Sequence, residues 1–140
     1  MKRPGSPEEA LVAAAEAGRE RLMERLGIQY IEITPDRVVA RMPVAGNTQI
    51  YDVLHGGATA ALCESVGSLG TAMIVGPDRL ALGIELNVNH LRAVRDGSVT
   101  ATGTPLHIGR TTAVWDIKVE DEEGRLTAVS RLTLVLRDAD

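Results

Sequence analysis

The sequence predicts one α+β domain in which a six-stranded antiparallel sheet packs against a single long, apolar helix. The length of 140 residues is that of one ordinary domain with its own core. The predicted elements run in the order helix, two strands, long helix, four strands. Tight turns join most of the strands, so the last four are expected to form an antiparallel meander. A run of strands packed on one helix is typical of the α+β class.

The first predicted helix covers residues 6–26. Ser6 is a suitable N-cap, and Glu9 completes a capping box with it. Apolar and small residues then recur at helical spacing until Gly27 ends the run. We assign residues 1–26 to an N-terminal extension and helix of the single domain that spans the whole chain.

Six later segments alternate apolar and polar residues, as strands do. They are predicted at residues 28–34, 38–44, 82–93, 98–106, 111–120 and 125–137. In the third of these strands, Ile84, Leu86 and Val88 are expected to share the buried face. In the last strand, Leu126 is expected to lie in phase with the buried leucines.

The stretch Leu54–Val75 is predicted to form the central helix, at about residues 55–75, entered through a His-Gly-Gly turn. It is apolar nearly all round, so we expect it to be enclosed on every side. A carboxylate in so apolar a stretch is costly to desolvate unless it is paired, protonated or facing water. This cost suggests a functional role for Glu64, although a buried polar network could also accommodate it.

His55 and Glu64 are nine positions apart. If both are helical, they lie about 13 Å apart and on opposite faces of the helix. One chain cannot bring them to a single site, whereas two copies meeting across their central helices could. Glu64 and Ser68, by contrast, are one turn apart and share a face. The spacing therefore predicts a dimer with shared sites.

The His-Gly-Gly turn supplies a second chemical element. Gly56 and Gly57 allow a ligand to approach the backbone, and the first amides of a helix have no internal acceptor. Such amides, together with the helix dipole, can stabilise an oxyanion. The pattern then offers a carboxylate, Glu64, that can attack or deprotonate water, with Gln49 and Ser68 to orient that water.

Composition argues against several other functions. The net charge is −4 and no run of Lys or Arg occurs, so nucleic acid and anionic membranes are poor partners. Cys63 is the single cysteine, so no intrachain disulfide is possible, and we expect it to fill the core. The three histidines lack paired ligand spacing, so no metal site is predicted. No targeting signal is recognisable, and we expect a cytoplasmic protein.

The chain resembles the hotdog-fold acyl-CoA thioesterases in the stretches LHGGATAALCESVGSLGTAM and GIELNVNHLRAVRDGSVTATGTPLHIGRTTAVWDIKVEDEEGRLTAVSRLTLVL. The resemblance covers residues 20–137. It points most closely to the branch of the 1,4-dihydroxy-2-naphthoyl-CoA and enterobactin proofreading thioesterases, with which the Arthrobacter-type 4-hydroxybenzoyl-CoA thioesterases share a site plan. It implies a curved sheet wrapped round the long helix, and dimers, usually paired into tetramers, with active sites at the dimer interface.

The resemblance also implies roles for individual residues. Glu64 would be the nucleophile or general base, and the Gly56 amide would bind the oxyanion. The supporting positions are His55, Gln49 and Ser68. For coenzyme A the resemblance implies contacts at Gly83, His90, Arg92, Gly109, Arg110 and Thr111. His90 could also be an ordinary strand residue, and the arginines could be solubility charges unless they cluster at one groove.

The implied activity is hydrolysis of an aromatic or related acyl-CoA to the free acid and coenzyme A. No separate cofactor is implied, because coenzyme A is part of the substrate. The alternative is a protein of the same fold that binds acyl-CoA or an acyl carrier without turnover. A dehydratase of this fold is a weaker alternative, since its acid and histidine motif is not found.

Overall fold

The computed structural model describes residues 21–140, which form one sheet and two helices. In chain order these are α1 (Leu22–Arg25), β1 (Gln29–Ile33), β2 (Val38–Pro43), α2 (Gly56–Val75), β3 (Arg79–His90), β4 (Ser98–Ile108), β5 (Thr112–Asp121) and β6 (Leu126–Asp138). The strand order is β1-β2-β4-β5-β6-β3, and every neighbouring pair is antiparallel. The expected meander of the last four strands is wrong for β3, because β4 pairs with β2 and β3 lies at the edge beside β6. The predicted fold class, a six-stranded antiparallel sheet with one long central helix, is confirmed.

The predicted helix over residues 6–26 falls largely outside the described residues. Where it is described, it is not one unbroken helix, because the backbone of Arg21 is extended and α1 begins at Leu22. The Arg21 N–H donates to the Glu24 carboxylate at 2.9 Å, which caps this new helix start. Gly27 follows in the left-handed conformation, with φ +74°, as expected for a helix end. The assignment of the N-terminal extension stays a prediction.

Helix α2 lies against the sheet through one side only. Its buried residues are Ala58, Thr59, Leu62, Cys63, Val66, Gly67, Gly70 and Thr71. Glu64 is exposed, and Ser65, Ser68 and Leu69 are half-buried. Enclosure on every side, expected from composition, is therefore wrong for the single chain. The helix is also long and apolar enough to cross a membrane by length and composition, a test that the core helix of a soluble protein passes as well.

Glycines bring α2 and the sheet into close contact. A Cβ on Gly67 would lie 2.6 Å from the Leu132 side chain, and one on Gly70 would overlap the indole ring of Trp115. Trp115 is the largest fully buried side chain in the described residues. Glycine lowers helix propensity, but at these two positions even a methyl group has no room beside a close-packed core.

A buried hydrogen bond holds the same contact. The Trp115 Nε1–H donates to the Thr71 hydroxyl at 2.8 Å, and that hydroxyl donates to the Gly67 carbonyl at 2.8 Å. Trp115 and Thr71 are fully buried, so no water can replace either partner. The indole and the hydroxyl together fix the rotation of α2 about its own axis relative to β5.

Two of the predicted buried positions are wrong. The side chain of Ile84 is 62% exposed and does not share the inner face with Leu86 and Val88. A β-bulge after Gly83 shifts the register with β6, so Ile84 has no partner there. Leu126, the first residue of β6, is 37% exposed. These positions depend on strand pairing and on strand ends, which the alternation pattern alone does not show.

We expect Thr71→Val to lower the free energy of unfolding by about 1–3 kcal/mol, because the buried Trp115 N–H loses its acceptor while the side-chain volume barely changes. Thr71→Ser keeps the hydroxyl and should lose less. Urea denaturation followed by the fluorescence of the single tryptophan measures both variants. A larger loss in Thr71→Ser than in Thr71→Val would show that the methyl group stabilises this contact more than the hydrogen bond does.

Candidate active site

The start of α2 is held by backbone hydrogen bonds on two sides. The His55 N–H donates to the Asn47 carbonyl at 2.8 Å, and the Leu54 N–H donates to the Val94 carbonyl at 2.7 Å. The first partner lies in the loop after β2, and the second lies in the loop after β3. The helix start is thus fixed between two loops of the sheet.

Asn47 is a supporting residue that the sequence reasoning missed. It is buried, and its side-chain amide donates to the carbonyls of Leu26 at 2.7 Å and Pro43 at 2.8 Å. Its own carbonyl accepts from His55, so it ties the end of α1 and the end of β2 to the start of α2. An asparagine side chain in a loop often forms hydrogen bonds with nearby backbone groups, and this tendency is the only feature of the sequence that points to such a role.

The first amides of α2 are mostly occupied. His55 is the N-cap, and its Nδ1 accepts from the Gly57 N–H at 2.8 Å. Its carbonyl accepts from Ala58 at 3.0 Å and from Thr59 at 3.2 Å. Within the described part of the chain, the Gly56 N–H has no such acceptor. The Gly56 amide is therefore the one available to an oxyanion at this helix start.

Gly56 lies between two open cavities. One, of about 370 Å³, is lined by Val53, Leu54, Thr59 and residues 90–94 together with Gly56. The other, of about 700 Å³, is lined by residues 48–51, His55 and Gly56. A Cβ on Gly56 would lie 3.0 Å from Nε2 of His90. The structure thus brings His55, Gly56 and His90 together, with Arg92 on the wall of the smaller cavity.

Gln49 lies on the wall of the larger cavity, but its carboxamide oxygen is used within its own loop. That oxygen accepts a hydrogen bond from the Tyr51 N–H. The loop includes Asp52 in the left-handed region, at φ +56°. Ile50 and Tyr51 are 87% and 73% exposed beside the cavity. In this conformation, Gln49 can offer a ligand its amide N–H groups.

Glu64 and Ser68 lie one turn apart on the side of α2 that the sheet does not cover. The Glu64 carboxylate lies against Gly83 of β3, where a Cβ would be 2.5 Å from Oε1. Because Glu64 is exposed, the single chain does not impose the desolvation cost expected from the apolar sequence around it. The expected cost was inferred from the apolar residues beside Glu64 in the sequence. Burial depends instead on which residues lie near the side chain in the folded chain.

The single chain carries two separate parts of the predicted catalytic group. Gly56 and Glu64 lie about 12 Å apart along the axis of α2. Gly56 meets His90 at the end of β3, whereas Glu64 meets Gly83 nearer its beginning. We call His55, Gly56 and His90 the helix-start half-site, and Glu64, Ser68 and Gly83 the carboxylate half-site.

The residues implied for coenzyme A are also divided. His90 and Arg92 lie at the end of β3 and in the loop that follows. Gly109, Arg110 and Thr111 form the turn between β4 and β5. The Arg110 carbonyl accepts from Arg79, the first residue of β3, at 2.8 Å. Because β3 spans about 35 Å, the two groups do not line one groove in a single chain, and their role stays a prediction.

Cys63 is a core residue. It is fully buried, and burial raises the pKa of its thiol to about 11. Such a thiol is not a nucleophile at neutral pH, so the assignment to the core is confirmed. Within residues 21–140, no group of three or more His, Cys, Asp or Glu side chains could hold a metal ion.

Comparison with known proteins assigns the family. Residues 51–128, which contain both half-sites, match the family model described as Thioesterase superfamily. The chain belongs to the thioesterase superfamily. The expected resemblance to hotdog thioesterases is confirmed, and this superfamily member is a thioester hydrolase.

Relatives and solved structures agree with the family. The 1,4-dihydroxy-2-naphthoyl-CoA hydrolase of Escherichia coli strain K12 is 38% identical over 120 residues, covering 85% of this chain and 88% of the relative. The enzyme of the same name from Listeria monocytogenes is 37% identical over 117 residues, covering 83% and 95%. Other relatives, such as one in Vibrio cholerae at 46% identity, are only provisionally described as esterases. The crystal structure of thioesterase HI1161 from Haemophilus influenzae aligns with a TM-score of 0.82 and 39% identity, covering 88% of this chain and 87% of that one.

Burial makes the superfamily member sensitive to alkaline pH. It raises the pKa of the Cys63 thiol to about 11 from 9.0 and that of the Tyr30 phenol to about 12 from 10.0. Both groups therefore lose their protons at a lower pH in the unfolded chain than in the folded chain. The free energy of unfolding should therefore fall as pH rises from about 9 to 12, by about 2–3 kcal/mol for each group.

Cys63→Ala should make the free energy of unfolding fall less steeply in the lower part of this pH range, and Tyr30→Phe should do so in the upper part. Urea denaturation of each protein at pH 7 and at several values above pH 9 measures the difference, so that any loss common to all pH values cancels. An identical pH dependence in the wild type and both variants would contradict this assignment.

Proposed function

We propose that this protein hydrolyses the thioester of an acyl-CoA, with an aromatic or related acyl group, to the free acid and coenzyme A. The observation that carries the proposal is the free Gly56 amide at the start of the same helix that bears the exposed Glu64 carboxylate. Family membership supplies the thioester chemistry. Two relatives named for an aromatic acyl-CoA support that substrate class.

The chemistry needs few groups. The Gly56 N–H would donate to the thioester carbonyl oxygen and stabilise the oxyanion that forms as the carbonyl carbon is attacked. As a general base, Glu64 would take a proton from water, whose oxygen adds to that carbon. Collapse of the oxyanion would break the C–S bond and release coenzyme A as its thiolate. The protonated Glu64 side chain would then return its proton to that thiolate. Ser68, one turn further on, is suited to hold the water.

A nucleophilic route uses the same residues. Glu64 would attack the carbonyl carbon itself and release coenzyme A, leaving an acyl anhydride that water then hydrolyses. The Gly56 amide would stabilise the oxyanion in both steps. In either route the carboxylate must reach the carbonyl that the Gly56 amide binds.

We infer that two copies of the chain complete each site. Strand β3 is an edge of the sheet, twelve residues long, and it exposes Leu82 by 47% and Ile84 by 62%. Long exposed edges tend to pair with another strand. Two β3 strands paired antiparallel about a centre between Leu86 and Asn87 would set Gly83 of one copy opposite His90 of the other. That arrangement would join each carboxylate half-site to a helix-start half-site.

We also propose that these dimers pair into tetramers and that the enzyme acts in the cytoplasm. The net charge of −4, without a basic run, supports a small-molecule substrate over a nucleic-acid or membrane partner.

Glu64→Ala and Glu64→Gln should each lower kcat for benzoyl-CoA or hydroxynaphthoyl-CoA by about 10²–10⁴-fold, because water loses its general base or the carbonyl its nucleophile. A thiol reagent that reports released coenzyme A measures the rates. Glu120→Gln, an exposed acid on β5, is the matched control and should stay near wild type. Saturable acyl-CoA binding by the wild type without release of thiol would instead support the non-catalytic alternative.

Mixed dimers test the shared site. Gly56→Pro removes the free N–H and should fit, because proline is favoured at the first helical position and His55 is already extended, with ψ 127°. Glu64→Ala removes the carboxylate. Each pure variant should be inactive, but a mixed dimer has one intact site of two and should regain roughly half the wild-type activity.

The mixed dimer is isolated through two different affinity tags on the co-expressed variants. Gly56→Ala, which adds a Cβ but keeps the N–H, separates the loss of the donor from crowding of His90. The shared site would be excluded if the mixed dimer were no more active than the two pure variants. It would also be excluded if the protein were active as a monomer.

A further inference from the structure

We propose that Gly83 is a positioning residue for the Glu64 carboxylate, and that it acts by having no side chain. The resemblance implied a coenzyme A contact for this glycine, and the geometry points to a different role. The proposal rests on the proposed function in one respect, since it takes Glu64 to be the reacting carboxylate.

The contact itself is short. A Cβ built on Gly83 would lie 2.5 Å from Oε1 and 3.3 Å from Cδ of Glu64, and 3.4 Å from a methyl carbon of Leu132. A carbon 2.5 Å from an oxygen is well inside van der Waals contact. Any other residue at position 83 would force the carboxylate to leave its present place by about 1 Å, a displacement large enough to matter for a reacting group.

Backbone conformation does not explain the glycine. Among the described glycines, Gly27, Gly46, Gly76, Gly97 and Gly124 have positive φ, and Gly83 does not. It pairs with Leu134 inside the ladder between β3 and β6, where glycine weakens a strand. A bulge follows Gly83, but the glycine form of a bulge needs a positive φ, which Gly83 does not have. The close approach of another group is the other reason for glycine inside a strand, and here that group is the Glu64 carboxylate.

The bulge after Gly83 keeps the same place open. Ile84 is the unpaired residue of that bulge, and its side chain is 62% exposed. Bulges redirect side chains and are frequent beside active sites. Residues 82–85 of β3 are all exposed, so the strand is open to solvent where Gly83 meets the carboxylate.

Packing is what orients the carboxylate in this chain. Within residues 21–140, Glu64 makes no hydrogen bond or ion pair that would fix it. A side chain with three rotatable bonds has several rotamers to choose from, and the close approach to Gly83 restricts that choice. Gly83 therefore acts through Glu64 and does not itself touch the reacting atoms.

The test is a double-mutant cycle of Gly83→Ala with Glu64→Asp. Gly83→Ala should lower kcat by about 10²-fold while KM changes less than about threefold, because the carboxylate moves but the substrate contacts remain. In the Glu64→Asp background, the shorter side chain withdraws the carboxylate from position 83. Adding Gly83→Ala to Glu64→Asp should then cost little more, so the two effects should be strongly non-additive.

A coenzyme A contact at Gly83 gives a different result. Gly83→Ala would then raise KM, and the inhibition constant of free coenzyme A, by the same factor in both backgrounds. Either that outcome or additive losses in kcat would overturn the proposal. Urea denaturation of Gly83→Ala should match the wild type, since the exposed carboxylate can swing away.

Crystal structures of the wild type and Gly83→Ala provide a readout that does not depend on activity. A carboxylate displaced from position 83 only in the variant supports the positioning role, and an unmoved carboxylate overturns it. If the wild type hydrolyses no acyl-CoA while the carboxylate moves as expected, the proposed function fails and the positioning of Glu64 stands. If the wild type is active and the carboxylate does not move, only the role of Gly83 fails.

Discussion

The close approach of α2 to Trp115 is the contact that seats the helix on the sheet and thereby places the carboxylate half-site. Gly67 and Gly70 have no side chain to hold the helix away from the sheet, and the Trp115–Thr71 hydrogen bond fixes its rotation. Because a helix is rigid over one or two turns, this contact also decides where Glu64 lies, at the β3 edge of the sheet. A larger residue at either glycine would lift the whole helix, and with it the carboxylate.

The helix start is fixed independently of that contact. Asn47 and Val94 hold the backbone of residues 54 and 55 from two loops, and the buried amide of Asn47 is in turn bonded to α1 and β2. One helix clamped at its start and at its middle keeps the Gly56 amide and the Glu64 carboxylate at a constant separation. In the dimer that we propose, a constant separation would be enough, because a two-fold axis that completes one site would also complete the other.

Sequence reasoning succeeded where the determining interactions are local. Helix geometry alone separated His55 from Glu64, and turn residues alone predicted the pairing of β1 with β2, β4 with β5 and β5 with β6. The turn after β3 did not predict its partner, because β3 pairs with the distant β6. It failed where the partner is distant in the chain. The bulge at Ile84 depends on the register with β6. The anchoring of Asn47 depends on the carbonyls of Leu26 and Pro43, and the exposure of Glu64 depends on which side of α2 the sheet leaves uncovered. The break at Arg21 interrupts a helical pattern that still looks continuous in the sequence.

The His-Gly-Gly turn now has a physical explanation that the motif alone did not give. Each glycine makes room for an imidazole: a Cβ on Gly56 would lie 3.0 Å from His90, and one on Gly57 would lie 2.9 Å from His55. His55 Nδ1 accepts from the Gly57 amide, so the neutral ring carries its proton on Nε2. By occupying the Gly57 N–H, His55 leaves the Gly56 N–H as the amide at this helix start that has no acceptor among residues 21–140. The histidine thus selects which amide can bind a developing negative charge, whether or not its own ring touches the substrate.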